Sequence, residues 1–138
     1  MKIVLDTNVV VSGLMTPAGV SAAVLARVRA GDLLVVLDAR ILAEYREVLA
    51  RPRLAVPVDD AQAFVEYLER SAVAFENAPR AAFELPDPDD QPFLDVAIAA
   101  GAAAIATGNA RHFPAGCGVT ILSPRALLNA LASGAGAH

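Results

Sequence analysis

The 138-residue chain has 56% hydrophobic and 19% charged residues, with a formal net charge of −4. That length fits one domain with one substantial core, and the acidic balance excludes nucleic-acid binding by bulk positive charge, leaving local arginines or metal ions to offset the acids. No apolar run reaches the ~18 residues of a membrane span, Asp6 falls too early for a signal-peptide core, and the lone Cys117 can form no internal disulfide, so the expected setting is a reducing cytoplasm with no membrane partner.

Ile3-Val4-Leu5 is short, apolar and rich in β-branching, so it reads as a buried strand ending at Asp6. Pro17 and Gly19 mark a break, and Ser21 is expected to cap a helix through about Ala30, with Val24, Leu25 and Val28 on one stripe. Gly31-Asp32 is a turn before a second buried strand, Leu33 to Leu37. Asp38 caps a helix from Ala39 to about Ala50, and Pro52 and Pro57 bracket a loop. Asp59-Asp60 opens the next helix, through about Ser71, where acids in the first turn suit the helix dipole. Val73 to Phe75 reads as an edge strand and Pro79 to Pro88 as a loop. Asp89 or Asp90 then opens a helix carrying Phe93, Leu94, Ala97 and Ile98, which stops at Gly101. Ala103 to Ala106 and Val119 to Leu122 are strand-like, and Pro124 begins a helix to about Ala132. There is no internal repeat and no linker, which gives one domain over 1–133 and a frayed tail over 134–138.

Strands alternating with helices, each strand a continuous apolar run, indicate a parallel sheet covered on both faces. Such sheets carry their sites at the carboxyl ends of the strands. Asp6, Asp38 and the Thr107-Gly108-Asn109 run all fall at such ends.

Asp6 reads two ways, as a metal ligand or as a cap on a following helix. Glu44 lies beside Ile41 and Val48 on the edge of the apolar stripe formed by Ile41, Leu42, Tyr45, Val48 and Leu49. A carboxylate there is costly unless paired or metal-bound, and the alternative is a rim residue whose head stays wet. "LPDPDDQPFLDVAIAAG" holds Asp87, Asp89, Asp90 and Asp95. One suffices as an N-cap, which fits Asp89, and the rest are either a solvated acidic cap or carboxylates held together by a divalent cation. In "ATGNARHF", Asn109 fits a short-helix cap, His112 an acid or base or, as the plainer reading, an exposed helix residue, and Arg111 a phosphate contact. Other chemistries lack their residues. There is no Walker lysine motif and no G-x-G-x-x-G, and two histidines with one cysteine do not make a zinc site.

Together, "VLDTNVVVSG", "ILAEYREVLARPRL", "DPDDQPFLDVAIAAGA" and "ATGNARHF" resemble, in order and spacing, the PIN-domain ribonucleases, and the likeness covers nearly the whole chain. The chain is similar to the branch of small bacterial PIN proteins regarded as toxins of toxin–antitoxin pairs. The resemblance implies a three-layer α/β/α fold with a central, mostly parallel sheet of about five strands. It implies metal-dependent hydrolysis of RNA phosphodiester bonds with Mg²⁺ or Mn²⁺, one or two ions. By position, the metal-holding catalytic acids would be Asp6, Glu44 and Asp90, with Asp95 as a further ligand and Thr7, Asn8 and Thr107 as supporting polar residues. The fourth family position, usually Asp, is Asn109 here, which supplies no charge, so a second ion would lean on Asp95 or Asp87. Arg46 and Arg111, with Arg40, Arg51 and Arg53, would contact phosphates unless they are scattered solubilising charge. The implied partners are RNA, a cognate antitoxin and a second copy of the chain. The run Val9 to Leu14 would face such a partner or else pack internally. A haloacid-dehalogenase-type phosphatase would want a second aspartate where Asn8 stands, and a PIN-like domain that binds without cutting is the alternative that Asn109 favours.

Overall fold

The computed structural model describes residues 1–136. Its centre is a five-stranded parallel sheet built from β1 (Lys2–Leu5), β2 (Leu34–Leu37), β3 (Val73–Ala74), β4 (Ala104–Ala106) and β5 (Ile121–Leu122), in the order β3-β2-β1-β4-β5. The central strands are buried from both sides: Ile3, Val4, Leu5, Val36, Ile105 and Ala106 are all inaccessible to solvent. Among the described residues six helices flank the sheet: α1 (Thr7–Met15), α2 (Val20–Arg29), α3 (Ala39–Leu49), α4 (Val58–Ser71), α5 (Gln91–Ala99) and α6 (Pro124–Gly136). This is the expected three-layer α/β/α arrangement, and the apolar runs without alternation are its cause.

Strand order decides where a ligand can sit. From β1 the chain winds outward through β2 to β3, then returns to the other side of β1 and winds outward through β4 to β5. The direction of winding therefore reverses between β1 and β4, and their carboxyl ends open the crevice in which such sheets hold ligands. Register is fixed by Val4 against Ile105 and Leu5 against Ala106.

Several element ends differ from the sequence reading. Thr7–Met15 is a helix that the sequence pattern does not predict, since its valines and Gly13 are poor helix formers. Burial overrides propensity there: Val9, Val10, Gly13 and Leu14 face inward, Val11 is half-buried and Met15 is exposed. Both readings of the Val9–Leu14 run thus hold in part. Helix α2 starts at Val20 behind Gly19, so Ser21 lies inside its first turn and does not cap it. Pro57 precedes α4, and Asp59 and Asp60 sit in the first turn as expected. The expected Asp89 cap is corrected: Pro88–Asp90 forms a 3-10 turn in which Asp87 accepts the Asp89 N–H at 2.9 Å, and α5 begins only at Gln91. Leu33 is drawn off the second strand because its N–H closes α2 on the Arg27 carbonyl at 3.3 Å. The tail expected from 134 is helical through Gly136, and residues 137–138 lie outside the described residues. Among the described residues no single helix is long and apolar enough to cross a membrane.

The largest fully buried side chains include Tyr45, Phe64 and Phe93. Tyr45 does more than fill space, because its hydroxyl donates to the Leu5 carbonyl at 2.6 Å and ties α3 to the last residue of β1. Helices α1 and α2 meet closely at Gly13. A Cβ there would stand 2.5 Å from Leu25 Cδ1 and 3.1 Å from the Ser21 carbonyl oxygen. Leu25 is itself 1% exposed and has nowhere to retreat. Gly13→Ala is therefore expected to destabilise the protein by about 1–3 kcal/mol, outweighing the ~0.5–1 kcal/mol that alanine gains within a helix. Urea unfolding checks this through a lowered midpoint at unchanged slope.

Candidate functional site

The pairing of Leu5 with Ala106 brings the residues that come after them side by side. The Asp6 N–H donates to the Ala106 carbonyl at 2.9 Å, prolonging the ladder by one bond. Across the gap the Thr107 hydroxyl donates to Asp6 Oδ2 at 2.8 Å. Asn8 Nδ2 approaches the same oxygen at 3.3 Å, and Asn8 Oδ1 accepts the Gly108 N–H at 3.0 Å. Asp6 stands at the N-cap position of α1, but its side chain makes no capping bond. Of the two readings of Asp6, the geometry discards the side-chain cap: the carboxylate bonds across the strand ends and is 6% exposed.

Glu44 comes from α3, whose apolar stripe buries Ile41, Tyr45 and Leu49 against the sheet. It sits half-buried on the edge of that stripe, where the Thr7 hydroxyl donates to Oε2. Asp90 arrives from the 3-10 turn before α5 and is 9% exposed. Its Oδ2 is buried and makes no hydrogen bond. His112 Nδ1 lies 3.3 Å away, close enough for ionic attraction but without hydrogen-bond alignment.

These acids share one electrostatic neighbourhood. Burial pushes the Asp6 carboxyl above its ordinary value, against the opposing Thr107 hydrogen bond. Burial also raises Glu44, the Thr7 bond opposes, and the charges of Asp6 and Asp89 add to the rise. Asp90 is raised to about 6, first by burial and then by the Asp6 charge, with His112 opposing. Buried carboxylate oxygens, one of them unpartnered, are the hard donors from which Mg²⁺ or Mn²⁺ sites are built. The residues at this rim therefore fit such an ion chemically, although among the described residues no three acidic, His or Cys side chains already stand at ion-holding separation.

Other sequence candidates lie elsewhere or have other partners. Asp95 is 3% exposed, and its Oδ1 accepts from the Ala81 N–H at 2.8 Å and Gln91 Nε2 at 3.1 Å. Its Oδ2 faces Arg40 Nη1 at 3.5 Å, so both oxygens are engaged away from Asp6. Asp87 is exposed and caps its own turn. Arg40 pairs with Asp38 at 2.8 Å, Arg51 with Glu47 at 2.7 Å, and Arg46 with Glu69 at 2.8 Å, which points Arg46 toward α4 and away from Glu44. Arg111 is exposed on the 3-10 turn Ala110–His112 and has no ion pair among the described residues. The reading of His112 as an exposed helix residue is incomplete, because the half-buried ring reaches both Asn109, at 2.9 Å from its Nε2, and Asp90. Only its three-residue spacing from Asn109 signals this in advance. Thr7 and Thr107 prove to be the donors that hold Glu44 and Asp6.

The raised Asp90 carboxyl has a stability consequence whose sign is fixed. Its native value of about 6 exceeds the reference 3.8, so the native state binds the proton up to higher pH than the unfolded chain does. Where the native state holds more protons, stability falls as pH rises. The metal-free protein should therefore lose stability between about pH 4 and pH 6 through this group and level off above, with Asp6 and Glu44 acting in the same direction. Asp90→Asn removes the buried charge and is expected to stabilise the metal-free protein at neutral pH by about 1–3 kcal/mol. Melting curves of the two proteins at pH values spanning that window check it, with the difference vanishing at the acidic end.

The sequence matches the family described as PIN domain over residues 2–111. Among curated proteins none matches significantly. The fold is similar to that of VapBC2 from Rickettsia felis bound to a DNA fragment from their promoter, with TM-score 0.62 and 17% identity over 89% of this chain and 98% of that one. FitAcB from Neisseria gonorrhoeae gives TM-score 0.56 and 21% identity over 89% and 98%. FitAB bound to the IR36 DNA fragment gives 0.60 and 19% over 88% and 94%. The matched residues run from the start of β1 to the turn carrying Asn109 and so span every acid of the rim, and on that extent the chain belongs to the PIN domain, a family of nucleases.

Proposed function

We propose that this chain is a metal-dependent endoribonuclease that hydrolyses RNA phosphodiester bonds and serves as the toxin of a toxin–antitoxin pair. The observation that carries the reading is the buried, unpartnered Asp90 Oδ2 facing a rim that already holds Asp6 and Glu44. Crowding acids this way is costly unless a cation joins them. Family membership supports the nuclease class. The similarity to VapBC2 and to the FitAB complexes supports a cognate antitoxin as partner, and the exposed Met15 beside half-buried Val11 on α1 offers apolar surface to it or to a second copy of the chain. The proposed location is the cytoplasm.

In this reading Asp6, Glu44 and Asp90 hold one or two Mg²⁺ or Mn²⁺ ions. When bound, such an ion would supply Lewis acidity for the scissile phosphoryl group and lower the pKa of a water. Thr107 and Asn8 keep the Asp6 carboxylate turned to the strand gap, and Thr7 does the same for Glu44. Each of these donors favours the ionised form of the acid it touches, which is the form that binds metal. Arg111, exposed next to the rim, receives the RNA phosphate, and Asp95 holds its loop and does not ligate. Arg46, committed to Glu69, takes no part.

A second reading keeps the metal and loses the chemistry: a PIN domain that binds RNA or a partner without cutting it. Asn109 in place of an acid and the absence of three converged ligands among the described residues favour it. Calorimetric Mn²⁺ titration beside a cleavage assay on single-stranded RNA separates the two, since binding without turnover identifies the second. On the nuclease reading, Asp6→Asn lowers kcat/KM at least about 100-fold, or about 3 kcal/mol of transition-state stabilisation, at unchanged fold by circular dichroism. Undiminished cleavage by well-purified Asp6→Asn protein would overturn it. Arg111→Ala should raise KM several-fold at nearly constant kcat and reduce the salt dependence of RNA binding.

A further inference from the structure

We propose that His112 is the positioning residue of Asp90 and that Asn109 sets its tautomer, an inference that rests on reading Asp90 as a metal-holding acid. The polar contacts form one unbroken chain. Thr107 Oγ1 donates to Asp6 Oδ2 at 2.8 Å and accepts the Asn109 N–H at 3.0 Å. Asn109 Nδ2 is 2.9 Å from His112 Nε2, and His112 Nδ1 is 3.3 Å from Asp90 Oδ2. The short turn that carries the ring is closed by the His112 N–H on the Asn109 carbonyl at 3.1 Å and pinned by Phe113, which is 2% exposed. The ring is thus fixed between two partners.

A neutral imidazole has one donor and one acceptor nitrogen. An amide NH₂ can only donate, so with Asn109 Nδ2 against it, Nε2 accepts and the ring proton sits on Nδ1, the nitrogen 3.3 Å from Asp90 Oδ2. The opposite amide orientation would put a carbonyl against Nε2, draw the proton there, and turn a bare Nδ1 lone pair toward a buried carboxylate oxygen. That arrangement is repulsive, so the network selects the first. An ionised aspartate at 109 has acceptors alone and would pull the proton to Nε2 in the same way. Asn109 is therefore more than a missing ligand. It keeps a protonated ring nitrogen 3.3 Å from Asp90 Oδ2, the buried rim oxygen without a hydrogen bond among the described residues, so that a small turn of the ring completes the bond. Groups that orient a metal-holding side chain typically affect metal affinity 10–100-fold.

The test begins without metal or RNA. The chain has two histidines, so the ¹⁵N–¹H imidazole spectrum is simple and His112→Phe assigns it. At mildly alkaline pH the wild type should show His112 as the Nδ1–H tautomer, and Asn109→Asp should shift it to Nε2–H. In Mn²⁺ calorimetry His112→Phe should weaken binding about tenfold, and His112→Asn, whose amide nitrogen reaches near the Nδ1 position, should recover most of it. An Nε2–H tautomer in the wild type overturns the inference. So does Mn²⁺ binding by His112→Phe as tight as by the wild type, or binding by His112→Asn as weak as by His112→Phe. Wild-type protein that binds no Mn²⁺ overturns instead the metal reading of Asp90 on which the inference stands.

Discussion

Everything at the rim depends on the parallel pairing of β1 with β4. Leu5 against Ala106 forces Asp6 and Thr107 to emerge together where the sheet's winding reverses, and the hydroxyl of one then bonds the carboxylate of the other. A one-residue slip would turn Asp6 into the opposite face of the sheet, since side chains alternate along a strand. Ile3, Val4, Leu5, Ile105 and Ala106, all without exposure, pack on both sides of the sheet in this register. Hydrophobic burial in the middle of the sheet thus determines the position of a charge at its end.

The same pairing explains why the acids tolerate one another. Each sits in low-dielectric surroundings that favour its neutral form, and each has a neighbour that partly offsets this: hydrogen-bond donors at Asp6 (Thr107 and Asn8) and Glu44 (Thr7), and the charge of His112 near Asp90. The compensation is least complete at Asp90, whose carboxyl is raised to about 6. Groups that sacrifice stability this way cluster where function demands them. The Tyr45 hydroxyl bond to the Leu5 carbonyl limits the damage by fastening α3 to β1 directly beneath the crowded rim.

Much of this was legible in the residues. Ile3-Val4-Leu5 and the run from Leu33 to Leu37 announce a parallel sheet because strands buried on both faces need no alternation, and an acid directly after such a run announces the rim. The edge position of Glu44 followed from helical spacing alone. The α1 helix stayed hidden because three valines and a glycine argue against helix locally, and only the packing of Val9, Val10 and Leu14 on the core reverses that. The choice among the four aspartates near α5 was hidden too. Spacing along a helix ranks them, but the helix starts later than the first Pro-Asp pair suggests, and the 3-10 turn re-aims Asp87, Asp89 and Asp90. The partners of Asp95 are hidden for a related reason: the Ala81 N–H and Gln91 come from a loop and a helix turn whose meeting no local pattern encodes.

That last arrangement bears on how loss-of-function maps of this chain are to be interpreted. The stretch between β3 and α5 has almost no regular structure, and Gln91 gathers it by accepting the Leu85 N–H and donating to the Phe83 carbonyl, while Asp95 clasps both Gln91 and the Ala81 backbone. Asp90 rides at the end of that stretch. Damage at Asp95 or Gln91 would reach the chemistry by letting the strap slacken, so a scan scored on turnover alone would rank a mooring beside the groups it moors. Protease nicking between residues 76 and 88 would tell the two apart, because a lost mooring frees the backbone of this largely exposed strap to enter a protease site, while loss of a rim acid leaves it held.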